Sequence, residues 1–551
     1  MVTRSIHRAT AGTIGALAAI SILVGCASTS PSPFAVQSKP AASRLLFRDR
    51  AADVGLTFQA GIQGKSPLNI SELMGGAAAW LDYDGDGWED LVLGGPTGLC
   101  CYRNLRGERF LEVTDSVGLP RTLRGVQGLT VGDVDGDGHP DLFVGLLSGA
   151  RLFRLRAGGR FVDATTSAGI RLGRWVSASA FADVDGDGDL DLYAGRYLQF
   201  SAAMPQFHRE GNAQLTLGPA AYEADRGDLL LNDGTGRFHV GTGSAGLSGA
   251  HGKTLGVIFA DSDGDGDADL YLANDEVACD FFVNDGKGHF RNDALRNGTA
   301  LSSAGTPQAG MGVDWGDYDG DGAQDLVVTT FWSEPTSLYR RLSEGLYEER
   351  SLVDGLAGPT TRWTGFGIAF EDLDNDGQMD LMQANGHVED QRDRVDPTVG
   401  YRQPTQVFRN QAGKFSEFPA AVPAERVVGR ALATADYDRD GRMDAVVASL
   451  SGPPVLLHNE STGLGHWLGV RVKGQGRNVE GIGSRVTVTS GSRNWVREVR
   501  RNRSYYSSTP MELRFGVGAA QTANVHVKFA SGRVREMVGL ETNRSHEVVE
   551  E

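Results

Sequence analysis

Residues 82–90 read Asp82-Tyr83-Asp84-Gly85-Asp86-Gly87-Trp88-Glu89-Asp90. Aspartate stands at positions one, three, five and nine, and glycine at position six. The same pattern returns at Asp133-Asp135-Asp137-Asp141, Asp183-Asp185-Asp187-Asp191 and Asp261-Asp263-Asp265-Asp269. It returns again at Asp317-Asp319-Asp321-Asp325, Asp372-Asp374-Asp376-Asp380 and Asp436-Asp438-Asp440-Asp444. Successive copies begin 51, 50, 78, 56, 55 and 64 residues apart in a chain of 551. Spacings of this size mark a repeat architecture.

The spacing has a chemical meaning. Carboxylates at alternate positions of a tight loop converge on one point, position seven offers its carbonyl, and position nine closes the shell. Calcium takes roughly 6–8 oxygens in flexible geometry and suits such a loop. The expected ligands are the 28 aspartates above, with the main-chain carbonyls of Trp88, His139, Asp189, Asp267, Ala323, Gln378 and Arg442. The cofactor expected is calcium, up to seven ions. The turn needs positive φ at position six, and that residue is glycine in every copy, from Gly87 to Gly441. Loops six and seven carry Asn375 and Arg439 where the others have a position-four glycine, so the seventh is expected to bind most weakly.

The formal net charge is −17, and the loops hold 28 of the 70 acidic residues. Much of the acidity is therefore coordination chemistry. Nucleic acid and anionic membrane surfaces are poor partners for such a chain.

The loop is similar to the first half of an EF-hand loop, but lacks the glutamate at position twelve. Apolar β-type sequence follows instead, as in Leu91-Val92-Leu93 and Leu142-Phe143-Val144. Each loop therefore joins two strands. A turn and an aromatic come next, as in Asn284-Asp285-Gly286…Phe290. Each repeat offers four strands, one propeller blade. The seventh repeat lacks its last strand, and Phe47-Arg48-Asp49 precedes the first loop with the missing pattern. Closure of the ring by this N-terminal strand is predicted, which removes exposed sheet edges. The 75 glycines, against 19 prolines, fit a turn-rich all-β chain.

These repeats resemble the FG-GAP/VCBS repeats of integrin-α-type propellers. Gly310-Met311-Gly312-Val313, Gly365-Phe366-Gly367-Ile368 and Asn385-Gly386-His387-Val388 are similar to bacterial relatives of the cartilage acidic protein family. From Gly463 the pattern changes to short β runs such as Gly481-Ile482-Gly483-Ser484, which resemble that family's ASPIC/UnbV domain. Arg477-Asn478 and Lys528-Phe529 depart from its usual Asn-Arg and Trp-Pro. The resemblance implies an all-β fold, a seven-bladed integrin-α-like β-propeller over 45–460 followed by a small β domain over 463–551. Recognition of a protein or glycan is expected at the long connections Arg196–Arg226 and Gly386–Pro404.

The N-terminus is a separate object. Residues 1–25 read as a lipoprotein signal peptide, with Arg4 and Arg8 before an apolar stretch. Leu23-Val24-Gly25-Cys26 resembles a bacterial lipobox, which implies lipidation at Cys26 and a tether over 26–44. The expected location is the cell envelope, at the outer membrane, held by lipid. Of Cys100, Cys101 and Cys279, the adjacent pair has poor geometry for bridging itself, and buried free thiols are expected.

Two connections on the side away from the loops are long, Arg196–Arg226 and Gly386–Pro404. They and a neighbouring turn supply a candidate ligand face of Tyr197, His208, Tyr222, Asn274, Asp275, Glu276, Asn385, His387, Glu389 and Asp390. His387 beside Glu389 and Asp390 is the nearest approach to an acid–base cluster. No recognised catalytic motif occurs, so no catalytic residue is assigned. The alternatives to recognition are an enzyme or accessory factor of a biosynthetic pathway, which the UnbV resemblance suggests, and an envelope scaffold. The basic run Arg497, Arg500, Arg501 and Arg503 reads as a solvated face.

Overall fold

The computed structural model describes residues 43–551 apart from 202, 205, 343 and 344. The leader, Cys26 and the tether up to residue 42 lie outside the described residues.

Seven blades of four antiparallel strands and one two-stranded hairpin, Phe207–Glu210 with Ala213–Thr216, account for the strands up to Asn459, and the first blade is extended to six strands by Asn502–Arg503 and Ser507–Ser508. Their first strands are Ala77–Leu81, Val126–Gly132, Val176–Ala182, Thr254–Ala260, Val313–Gly316, Gly365–Glu371 and Gly429–Ala435. All seven are buried along their length. Each packs on the first strand of the next sheet, and the seventh packs back on the first. The sheets are thus seven blades around one axis, a β-propeller. Small residues let the inner strands approach. A Cβ on Gly312 would meet the Phe366 carbonyl oxygen at 2.0 Å, and one on Gly256 the Met311 carbonyl oxygen at 2.3 Å.

The ring closes as the sequence predicts. Phe47–Asp49 pairs with Val455–Asn459 and becomes the fourth strand of the seventh sheet, with Phe47 opposite Asn459. The same register holds elsewhere: Phe110 faces Asn104, Phe238 faces Asn232, and Phe290 faces Asn284. These outer-strand aromatics are buried.

The remaining strands form two small sheets. One orders Leu513–Gly518, His466–Lys473 and Arg544–Val549; the other orders Arg493–Glu498, Arg485–Ser490, Thr522–Lys528 and Val534–Glu541. They share an apolar core that includes Val470, Val488, Phe515 and Val525. Between these strands the chain dives into the axis of the propeller. Ser507 and Ser508 pair in parallel with Ala78 and Ala79. Ser508 Oγ donates to the Leu129 carbonyl (3.1 Å), and Asn502 Oδ1 accepts from the Phe181 amide (3.0 Å). Ser504 Oγ accepts from the Ile368 amide (2.9 Å), and the Ser504 amide donates to the Val313 carbonyl (2.6 Å). The segment thus plugs the ring.

The arginines of this segment are not a solvated face, which corrects the expectation from sequence. Arg503 is clamped by Asp314 (3.0 Å), by Glu371 and by Thr434 Oγ1 (2.8 Å). Arg501 pairs with Glu480 at 2.7 Å, and Arg497 with Glu371 at 3.4 Å. Their partners stand far away in sequence, so a local reading saw only uncompensated charge. Cys100, Cys101 and Cys279 are buried free thiols.

Two outcomes test the ring and its plug. Removal of residues 45–57 strips the closing strand and is expected to abolish the cooperative unfolding transition, read by circular dichroism. Arg503→Met leaves Asp314 buried without its cation and Glu371 with Arg497 alone, and denaturant unfolding is expected to show a loss of about 3–5 kcal/mol.

Candidate functional site

Each Asp-rich loop joins the first and second strands of its blade. In the first loop, Asp82 Oδ1 accepts the amides of Gly85 (2.8 Å) and Asp86 (3.1 Å), while Oδ2 accepts that of Gly87 (2.8 Å). Asp86 Oδ1 accepts the Trp88 amide at 3.0 Å. That last bond recurs in all seven loops, from His139 to Asp137 through Arg442 to Asp440. At position seven this bond is made by the backbone amide, whatever the side chain. Position-six glycines have φ between 86° and 106°. Position four also has positive φ in every loop, a feature the sequence reading missed. Asn375 (57°) and Arg439 (59°) adopt it without glycine's freedom. An arginine held there carries roughly 1–2 kcal/mol of strain.

The position-nine aspartate does more than close a shell. Asp90 Oδ2 accepts the Tyr83 amide (3.2 Å) inside its own loop, and Oδ1 accepts the Asn104 amide (2.7 Å) on the third strand. Asp141, Asp191, Asp269, Asp325, Asp380 and Asp444 repeat both bonds. The remaining carboxylates converge. Possible ligand atoms of Asp82, Asp84 and Asp86, and those of Asp133, Asp135 and Asp141, lie within 4.8 Å of one another. So do those of Asp183, Asp185 and Asp191, and those of Asp261, Asp263 and Asp265. In the seventh loop His458 joins Asp438 and Asp440. Sequence reasoning missed His458 because it comes from the third strand, 14 residues beyond Asp444. The donors elsewhere are oxygens, the set a hard divalent cation takes.

Residues 82–144, 147–194 and 263–328 match the FG-GAP-like repeat, and residues 474–551 match ASPIC and UnbV. The chain is an FG-GAP-repeat protein with an ASPIC and UnbV domain, homologous to cartilage acidic protein 1. It is 25% identical to the Mus musculus protein over 515 residues, covering 87% of this chain and 74% of that one. For the Homo sapiens protein the identity is 24%, with 86% and 72% covered. Among solved structures it is similar to an Agrocybe aegerita lectin specific for non-reducing terminal N-acetylglucosamine (TM-score 0.38, 18% identity, covering 68% of this chain and 86% of that one). It is also similar to the V. cholerae biofilm matrix protein Bap1 (TM-score 0.28, 11% identity, 90% and 62% covered). These scores are low, and the seven-blade topology itself carries the fold. The sixth and seventh FG-GAP-type loops lie outside the matched segments yet keep the same bonds at position nine.

The ASPIC and UnbV strands pack on the loop side of the ring. Trp495 Nε1 donates to the Gly377 carbonyl (2.8 Å) and Arg485 to that of Gly322 (3.0 Å). Arg514 pairs with Asp436 at 2.6 Å, and Glu480 accepts the Asp133 amide at 3.0 Å. The Asp-rich loops thus sit at an internal interface. Burial pushes their carboxylates up: Asp90 and Asp325 to about 9, Asp141, Asp191 and Asp444 to about 8, and Asp269 to about 7. Neighbouring carboxylates add to the effect.

The candidate ligand face divides in two. Tyr197, Tyr222, Asn274, Asp275, Asn385 and His387 are buried. Tyr197 donates to Asp275 (2.6 Å), Asn274 to Asp280 (2.9 Å), and Asn385 to the Pro404 carbonyl (2.8 Å). His387 Nδ1 accepts the Glu389 amide (3.1 Å), and burial pushes its imidazole down to about 3. These groups build the wall. His208 and Glu276 are exposed, and Glu389 and Asp390 half-buried. The long connections meet: the Gln214 amide donates to Gln391, which donates to Ser66. Beneath them Arg430, fully buried, donates to the carbonyls of Leu73, Gly386, Gly429 and His387 over the Phe366 ring.

The raised carboxylates give a pH test with a definite sign. In the metal-free fold they hold protons that the unfolded chain releases near 3.8. Their stabilising contribution is thus complete below that value and lost as pH rises through about 7–9. With chelator, the melting temperature is expected to fall from pH 5 to pH 8. With saturating calcium, which requires ionised ligands, it is expected to rise over the same interval. Differential scanning calorimetry reads both.

Proposed function

We propose that this protein is an exported, lipid-anchored, calcium-loaded β-propeller of the cell envelope that recognises a protein or glycan partner. Calcium is the cation that best fits the loops. Asp82, Asp84, Asp86 and Asp90 with the Trp88 carbonyl, and their counterparts in the other six loops, would hold it. Bound calcium would neutralise the buried carboxylates and lock each turn between two strands. The lipobox-like Leu23-Val24-Gly25-Cys26 supports export and anchoring at Cys26. Among the described residues no helix is long and apolar enough to cross a membrane.

One observation carries the recognition reading. The ASPIC and UnbV domain covers the loop side and plugs the channel, which leaves the side bearing the long connections as the free face of the ring. There the hairpin Phe207–Glu210 with Ala213–Thr216 presents His208, Arg209 and Glu210 to solvent, with His208 and Glu210 near Glu389, and Glu276 is exposed as well. Likeness to cartilage acidic protein 1 over most of both chains supports a binding role.

Capture from envelopes of the source cell, in calcium, is the test. The wild-type chain is expected to retain a protein or glycan that a variant with His208, Arg209, Glu210 and Glu276 changed to alanine does not. Equal retention by a variant of unchanged melting temperature would sink the assignment of this face.

A further inference from the structure

The third strand of each blade brings one side chain to its metal loop. The position-nine aspartate defines the register, because its Oδ1 accepts the amide of Asn104, Leu155, Asn232, Asn284, Arg341, Asn410 and Asn459 in turn. The residue immediately before is Arg103, Arg154, Leu231, Val283, Arg340, Arg409 and His458. Where it is arginine, it lies on the loop carboxylates. Arg103 Nε stands 2.6 Å from Asp84 and Nη2 3.1 Å from Asp86. Arg340 repeats this on Asp319 (2.5 Å) and Asp321 (3.1 Å). Arg409 meets Asp374 at 2.6 Å. In the second loop Arg154 and Arg156 both reach Asp135, at 3.2 and 2.9 Å.

Loops three and four differ in two respects. Leu231 and Val283 replace the arginine, and position seven adds a fifth carboxylate, Asp189 or Asp267. Among the described residues, none of the five carboxylates of loop four has a basic group within 4.0 Å. In loop three only Asp189 has one, Arg477 at 3.3 Å. The seventh loop is the opposite case, with Arg442 on Asp440, Arg514 on Asp436, and His458 3.7 Å from Asp438.

We infer that the third-strand arginine, whose part Arg442 and Arg514 take in the seventh loop, is a built-in counter-ion that competes with calcium, so that loops three and four are the high-affinity sites and the other five fill only at higher calcium. The inference rests on the calcium reading above. An arginine a few ångströms from a divalent ion opposes its entry directly, and the partly buried setting keeps that repulsion from being fully screened. The same arginine holds its loop's carboxylates together when no metal is present. Loops three and four have no such support and depend on the cation for their shape.

Calcium titration calorimetry of the full chain decides it. The expected isotherm has two tight ions and a weaker remainder. Leu231→Arg with Val283→Arg is expected to weaken the tight class by about tenfold or more, while Leu231→Met with Val283→Met leaves it in place. Arg103→Met with Arg340→Met is expected to raise the tight class from two ions to four. These arginine side chains are 39% and 35% exposed, so their variants test the idea even where an introduced arginine prevents folding. One uniform class of sites, or a tight class that neither exchange alters, overturns the inference while leaving the calcium reading intact. A wild-type chain that takes up no calcium overturns both.

Discussion

A buried aspartate carboxylate ties two backbone amides together seven times in this molecule. One amide lies in the aspartate's own loop and the other on the third strand of the same blade, as Asp90 does with Tyr83 and Asn104. A hydrogen bond to a charged group contributes roughly 1.5–3 kcal/mol. The desolvation of the carboxylate opposes that gain, and burial raises the affinity of Asp90 for a proton accordingly. The divalent cation proposed for these loops would resolve the conflict, because it would keep the carboxylate ionised without water. Strand pairing and loop shape in each blade therefore hang on one side chain. That dependence explains why position nine is aspartate in every copy while position seven varies from Trp88 to Ala323.

The ring imposes a second constraint. Seven inner strands around one axis leave backbone groups facing a channel, and buried polar groups must find partners. Gly312 and Gly256 allow the strands close approach, but they leave the axis open. The segment around Arg503 supplies what the ring lacks. Ser504, Ser507 and Ser508 bond to inner strands, and Arg503 answers Asp314 and Glu371. Propeller and terminal domain thus share one core, and neither is electrostatically complete alone.

How much of this was legible in the sequence follows from range. The loops were legible because all four aspartates of each copy fall within nine residues. Ring closure was legible because Phe47-Arg48-Asp49 repeats a pattern present in the other blades. The plug was not: Arg503 and Asp314 are 189 positions apart, and nothing local announces the pair. The ligand face was half legible. Long connections were found, but Tyr197, Asn385 and His387 turn inward to satisfy buried bonds, and residue type alone does not separate a wall from a surface. His458 went unseen for the same reason as Arg103: the strand that delivers it is distant from the loop in sequence and adjacent to it in the sheet.

The arrangement gives the two sides of the ring different work. On one side the terminal domain presses Trp495 on Gly377 and Arg514 on Asp436, so a change in the charge of loops six and seven is felt at that interface. Repulsion among unneutralised carboxylates would loosen those turns, and the plug is continuous with the strands that rest on them. Across the channel, Tyr505 donates to the Met74 carbonyl at 2.6 Å and meets Phe366 edge-on, while Arg430 crosses the same ring to hold the carbonyls of Gly386 and His387. The plug therefore reaches from the metal side to the base of the long connections. The Asp-rich loops and the free face are joined by contiguous packed side chains, a physical route by which the proposed calcium, once bound, would bias what the opposite side presents.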